Sequence, residues 1–115
     1  MLILPSSVRI WLAAGATDLR LGFDGLSGRV RDVLGRDVLS GAIFLFCNAR
    51  RNRVRAVYFD GTGLWLMTKR LEKGTFAWPR ADAATRSVSL RAEELSMLLG
   101  GLHVEVKRRP GFERR

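Results

Sequence analysis

The sequence predicts an α+β fold, a single small domain in which an antiparallel sheet is packed by two helices. Three observations carry this expectation. Val8, Ile10 and Leu12 alternate with Arg9, Trp11 and Ala13, the period-two signature of a strand with one buried face. Between Ala42 and Lys69, short apolar runs are separated by turn residues. After Asp18, and again around Leu95, apolar residues recur at the three- and four-residue spacing of a helix.

In chain order, Val8 to Ala13 is the first strand. Gly15-Ala16-Thr17-Asp18 is turn chemistry, with Thr17 or Asp18 placed to cap the following helix. Phe23, Leu26, Val30, Val33 and Leu34 form that helix's apolar side, and Gly35 stops it. Gly22, Gly25 and Gly28 each weaken a helix by about 1 kcal/mol relative to Ala, which points to close packing or a late helix start. Ala42 to Cys47, Arg53 to Asp60 and Gly63 to Lys69 are strands, and Phe76-Ala77-Trp78 adds a further one that Pro79 ends. Ala81 to Arg86 is a polar connector. Glu93, Glu94, Leu95, Leu98 and Leu99 read as a short helix with acids at its positive end and Gly100-Gly101 as its stop. Residues 1–106 are thus expected to form the domain and 107–115 a basic, flexible tail.

Twenty Lys and Arg stand against 11 Asp and Glu in 115 residues, a net charge of +9 with His103 neutral. All but Lys69, Lys73 and Lys107 of those cations are Arg, whose planar fork matches phosphate oxygens, so the excess points first to a polyanion. The simpler reading is a basic surface that keeps the protein in solution. At 47% hydrophobic and 27% charged, the composition is that of a folded domain. The longest run without a formal charge, Val38 to Ala49, is far below the roughly 20 residues of a membrane-spanning helix, so no membrane partner is expected. The Met1-Leu2-Ile3-Leu4-Pro5 start lacks the basic opening of a secretory signal, and the lone Cys47 has no internal disulfide partner. A cytoplasmic location fits these features.

Asp60-Gly61-Thr62-Gly63 lies between two strand runs and suits a tight hairpin. With Gly61-Thr62 as its two-residue loop, Phe59 faces Leu64, Val57 faces Leu66, Arg55 faces Thr68 and Arg53 faces Arg70. One face is then apolar near the turn and basic far from it. The Asn48 to Asn52 connection and the exit through Lys69, Arg70 and Lys73 lie at the same far end. Arg50, Arg51, Arg53, Arg55, Lys69, Arg70 and Lys73 should therefore converge. Like charges directly opposite on a sheet are destabilising, so Arg53 against Arg70 argues for an anionic partner; the alternatives are neutralisation by Glu72 or side chains splayed into solvent. Tyr58 faces Trp65 as a packed pair, which leaves Trp78, beside Pro79 and near Lys73 and Arg80, as the exposed aromatic able to stack on a base.

For metal-dependent nuclease chemistry the candidate carboxylates are Asp18, Asp24, Asp60 and Glu72, and each has a simpler structural use: cap, helix face, turn and charged run. Glu105-Val106-Lys107 has the spacing of half a nuclease signature, a pattern common by chance. His103 alone makes neither a metal site nor a dyad, Cys47 in an apolar strand should be buried and inert, and no glycine loop has nucleotide-cradling spacing. No cofactor, metal or catalytic residue is assigned, and the chain is expected not to be an enzyme.

Val8 to Ala13, Asp18 to Leu26, Phe59-Asp-Gly-Thr-Gly-Leu64 and Lys69-Arg-Leu-Glu-Lys-Gly-Thr-Phe-Ala-Trp-Pro79 together resemble the TnpB accessory proteins of IS66-type insertion sequences. The resemblance runs from about Val8 to Leu102. An unrelated RNA-guided nuclease shares that name. The resemblance implies a role in DNA transposition beside a companion accessory protein and a separate, larger transposase. The positions that match its pattern are Asp18, Arg20, Gly22, Asp24, Gly25, Asp60, Gly61, Gly63, Lys69 to Glu72, Gly74, Trp78 and Pro79, none of them an assigned catalytic residue. Thr62 departs from the usual Asp or Ser, and Arg91 from a helix-capping Ser or Thr. The reading that follows is a non-catalytic transposition accessory gripping DNA phosphates through Arg50, Arg51, Arg53, Arg55, Lys69, Arg70 and Lys73. The alternatives are a protein bridge without DNA contact and, behind it, a nuclease. A homo-oligomer is left open.

Overall fold

Strand β1 (Ile10–Ala13) sits inside the sheet, and all four of its residues are buried. A computed structural model describes residues 7–82 and 84–100; the expected tail, His103 and Glu105 to Lys107 lie outside the described residues. β2 (Ile43–Cys47), β3 (Arg53–Phe59), β4 (Leu64–Arg70) and β5 (Ser87–Leu90) complete five strands in the order β4-β3-β2-β1-β5. The sheet is mixed: β1 runs parallel to β2, and every other neighbouring pair is antiparallel. A parallel pair needs a crossover, and helix α1 (Phe23–Asp32) supplies it.

Strand alternation sorts the core into two layers. Trp11, Phe44, Phe46 and Val57 point to the α1 side and meet Leu26, Val30 and Leu34. Ile10, Leu12, Ile43, Leu45, Val54 and Val88 point to the other side and meet Leu98 of helix α2 (Ala92–Leu99), together with Phe76 and Trp78. Because both faces are covered, β2 is continuously apolar rather than alternating.

The structure departs from the expected elements at several points. Neither Thr17 nor Asp18 caps α1. The Asp18 carboxylate accepts from Arg20 N–H at 3.0 Å, and Gly22 is the N-cap with no side-chain bond. The helix therefore starts late, and Gly25 is where close packing occurs: a Cβ there would come within 2.8 Å of the Leu21 side chain. Phe23 is exposed rather than part of the buried side. Gly35, with φ +65°, ends the helix as expected, and Arg36 N–H closes onto Val30 C=O.

Phe76 to Trp78 is not a strand. Phe76 N–H donates to Arg51 C=O and Trp78 N–H to Phe76 C=O, which folds the segment across the end of the sheet and buries both rings. Beyond the connector, β5 forms where Val88 and Leu90 alternate with two serines, too short a pattern to stand out in the sequence. Arg91 is the α2 N-cap, and the buried Glu94 carboxylate accepts from its backbone N–H at 3.0 Å and from its Nε at 3.2 Å. The reach-back half of a capping box thus works without Ser or Thr. No helix among the described residues is long and apolar enough to cross a membrane.

Candidate nucleic-acid interface

The β3–β4 register matches the sequence expectation pair for pair, with Phe59 opposite Leu64, Val57 opposite Leu66, Arg55 opposite Thr68 and Arg53 opposite Arg70. The turn locks it. Asp60 Oδ1 accepts from Thr62 N–H, the Thr62 hydroxyl and Gly63 N–H, each at 2.9 Å, and Oδ2 accepts from Trp65 Nε1 at 2.8 Å. These donors hold the Asp60 carboxyl far below the ordinary carboxylate range. The Thr62 hydroxyl thus still serves the turn.

At the far end of the same hairpin, the Asn48–Asn52 loop is held by one side chain. Asn48 Oδ1 accepts from Asn52 N–H at 3.1 Å and Arg53 N–H at 3.0 Å, while Nδ2 donates to Asn52 Oδ1 at 2.7 Å. Arg51 takes a left-handed φ of 57°, alone among the described non-glycine residues. The exit from β4 is tied to this loop by Leu71 N–H on Asn52 C=O at 2.9 Å.

Arg50, Arg51, Arg53, Arg70 and Lys73 gather here, all exposed. None of them takes part in an ion pair among the described residues, and Glu72 neutralises none of them. Arg53 and Arg70 stand opposite each other on the α1 side of the sheet.

Three expected members are used elsewhere. Arg55 is half-buried, and its guanidinium donates to Leu19 C=O at 2.7 Å, Leu21 C=O at 3.4 Å and Thr68 Oγ1 at 3.0 Å, tying the start of α1 to the sheet. Lys69 lies on the other side of the sheet, where Nζ donates to Leu99 C=O at 2.6 Å at the negative end of α2. Trp78 is 5% exposed, with Nε1 donating to Ala13 C=O at 2.8 Å, so it is not a free stacking ring. The exposed tryptophan is Trp65, at 46%.

Arg80, expected only as a neighbour of Trp78, and Arg86, at the end of the polar connector, come to the same end of the sheet. Gly15 N–H donates to Pro79 C=O at 2.8 Å and Ala14 N–H to Arg86 C=O at 2.9 Å, which brings their segment beside the end of β1. The crossover that places them has no local sequence signal.

The carboxylates do not converge. Asp18 pairs with Arg20 at 2.8 Å, and that partner holds its pKa down at about 2. Asp24 is exposed in the first turn of α1, Asp60 serves the hairpin turn at the opposite end, and Glu72 is exposed. Among the described residues no three His, Cys, Asp or Glu side chains lie close enough to hold a metal ion. Cys47 is fully buried, and burial pushes its thiol up to about 12.

A family model described as IS66 Orf2 like protein matches residues 8–109. The uncharacterized protein y4hO of Sinorhizobium fredii is 39% identical over 102 residues, covering 87% of each chain. The uncharacterized protein y4jC of the same organism is 40% identical over 104 residues, covering 90% of this chain and 87% of its own. No solved structure matches.

Proposed function

The chain belongs to the IS66 Orf2-like family, whose context is DNA transposition, and from that premise we propose that it is a non-catalytic accessory protein that grips DNA phosphates through the basic end of its sheet. The observation that carries this reading is Arg53 directly opposite Arg70, joined by Arg50, Arg51 and Lys73, with no carboxylate paired to any of them among the described residues. Such a pair costs the free protein stability and gains it back against an anion. Backbone phosphates fit because two planar guanidinium forks on one sheet face meet evenly spaced oxygens without reading a base. The cooperating partners are a transposase and a companion accessory protein of the same element. The exposed Trp65 lies at the opposite end of the hairpin, where a protein partner would leave the basic end open to DNA.

Each engaged cation adds roughly 0.7 to 0.9 to the slope of log affinity against log salt. Replacing Arg53 and Arg70 together by Gln should shallow that slope by about one to two units on unrelated sequences alike. The melting temperature should stay equal or rise slightly, because a repulsion is removed. An unchanged slope with lowered stability would make the two arginines structural and withdraw the phosphate grip. A pull-down of transposase that survives nuclease treatment, together with that unchanged slope, would favour a protein bridge.

A further inference from the structure

Beside the basic loop lies a recess of about 310 Å³ with two kinds of wall. Ala16, Ala49, Trp78 and Pro79 supply an apolar lining, and Arg51 and Arg80 supply cations. Its outline is set by backbone rather than by mobile side chains. Gly15 N–H is bonded to Pro79 C=O at 2.8 Å, Thr17 N–H to Cys47 C=O at 2.8 Å, and Phe76 N–H to Arg51 C=O at 2.6 Å. Gly15 has φ +77°, and a Cβ there would stand 2.9 Å from Ala81 Cβ, so the two walls approach as closely as a glycine permits. Arg51 is held in its left-handed conformation at the rim, the kind of backbone strain that persists only where its surroundings enforce it.

The volume is at the small end of the range for ligand recesses, roughly 300 to 1,000 Å³. A bare phosphate has no use for the apolar wall, and an apolar ligand has none for two guanidinium groups. A nucleotide presents both chemistries, a flat base and an anionic phosphate one sugar away. In a duplex the base is stacked inside and unavailable, whereas in a single strand it is free to enter.

We propose that this recess takes one unpaired nucleotide of a DNA single strand, its base against Pro79 and the rim of Trp78 and its phosphate on Arg51 and Arg80. The proposal rests on the phosphate-grip reading and adds to it a preference for strand state. The buried Trp78 ring is the back wall, fixed by its bond to Ala13, and Pro79 is the accessible platform.

The test uses the full chain, a labelled oligothymidylate, and a duplex of the same length. Ala49 is exposed on its loop, so Ala49→Trp fills the recess from outside the core. This variant should bind the oligothymidylate about ten-fold more weakly, the loss expected for one base stack, and the duplex less than about two-fold more weakly. Arg80→Gln removes an exposed side chain that makes no hydrogen bond or ion pair among the described residues, so the fold should tolerate it. It should shallow the single-strand salt slope by about 0.7 while leaving the duplex slope unchanged. Ala49→Trp binding both DNAs as the parent does, or losing both equally, would overturn the recess assignment. The Arg53 and Arg70 effect would in that case still stand. If the parent protein binds neither DNA, the phosphate grip fails, and this inference fails with it.

Discussion

Arg55 offers the sharpest separation between a cation that holds the fold and one that meets DNA. In the sequence it is one of a row of hairpin arginines; in the structure its guanidinium spans from β3 to the carbonyls that precede α1. Arg55→Met keeps the apolar stem and removes the donors. The bonds at 2.7 Å to Leu19 C=O and 3.0 Å to Thr68 Oγ1 are well formed, while the 3.4 Å contact to Leu21 C=O is long and adds little. Hydrogen bonds from charged donors contribute about 1.5 to 3 kcal/mol each, and a buried carbonyl left unpaired costs about 1 to 3 kcal/mol. Arg55 is only half-buried, so water takes up part of that loss, and about 2 kcal/mol is the expected destabilisation. For a domain of 115 residues that is a fall in melting temperature of about 8 °C. The exposed Arg53→Met serves as the control, with stability within about 0.5 kcal/mol of the parent. Its DNA salt slope should be shallower by up to about 0.9. Thermal melts by circular dichroism and anisotropy titrations at several salt concentrations, on the same samples, give both readouts. If Arg55→Met melts like the parent and its salt slope falls by about 0.9, then Arg55 is a phosphate ligand and its role as a tether is wrong.

Cys47, buried and with its thiol raised to about 12, should not react with Ellman's reagent in the native protein and should react fully in guanidinium; rapid native labelling would contradict the burial. Because its carboxyl is depressed on folding, Asp60 contributes stability above its unfolded pKa of about 4 and loses it as pH falls toward the folded value. Asp60→Asn should therefore melt below the parent near neutral pH, with the gap narrowing under about pH 4; a gap that stays constant into acid would show that charge on Asp60 is irrelevant to the turn. With magnesium or manganese, plasmid and single-stranded DNA should stay intact. Metal-dependent cleavage abolished by Asp60→Ala or Glu72→Ala, in protein still folded, would overturn the non-catalytic reading.

Features written over a few residues were legible without the structure. Gly61-Thr62 leaves a tight turn only one economical register, and that count alone placed Arg53 against Arg70 across the hairpin. Gly35 as the stop of α1, the helix around Leu95 and the buried Cys47 were legible for the same reason, since propensity and periodicity act within one turn or one strand. The motif running from Lys69 to Pro79 could be recognised as a pattern, but its physical purpose is tertiary: it carries the chain from β4 past the loop at Asn52 and seats Phe76 and Trp78 under the sheet.

What the sequence by itself determined is the class of fold, the hairpin register and the basic character of one end, because periodicity, turn chemistry and charge are local or additive. Tertiary structure decided which of those charges are free. Beyond Thr68 across the hairpin, Arg55 finds two acceptors 36 and 34 residues away, Lys69 finds one 30 residues away, and Trp78 is drawn inside by a carbonyl 65 residues distant. No local rule anticipates these partners. A side chain leaves solvent only when another part of the chain arrives with an acceptor and enough apolar surface to exclude water, and that arrival depends on how the β1–α1–β2 crossover and the return from β4 to β5 place the chain in space.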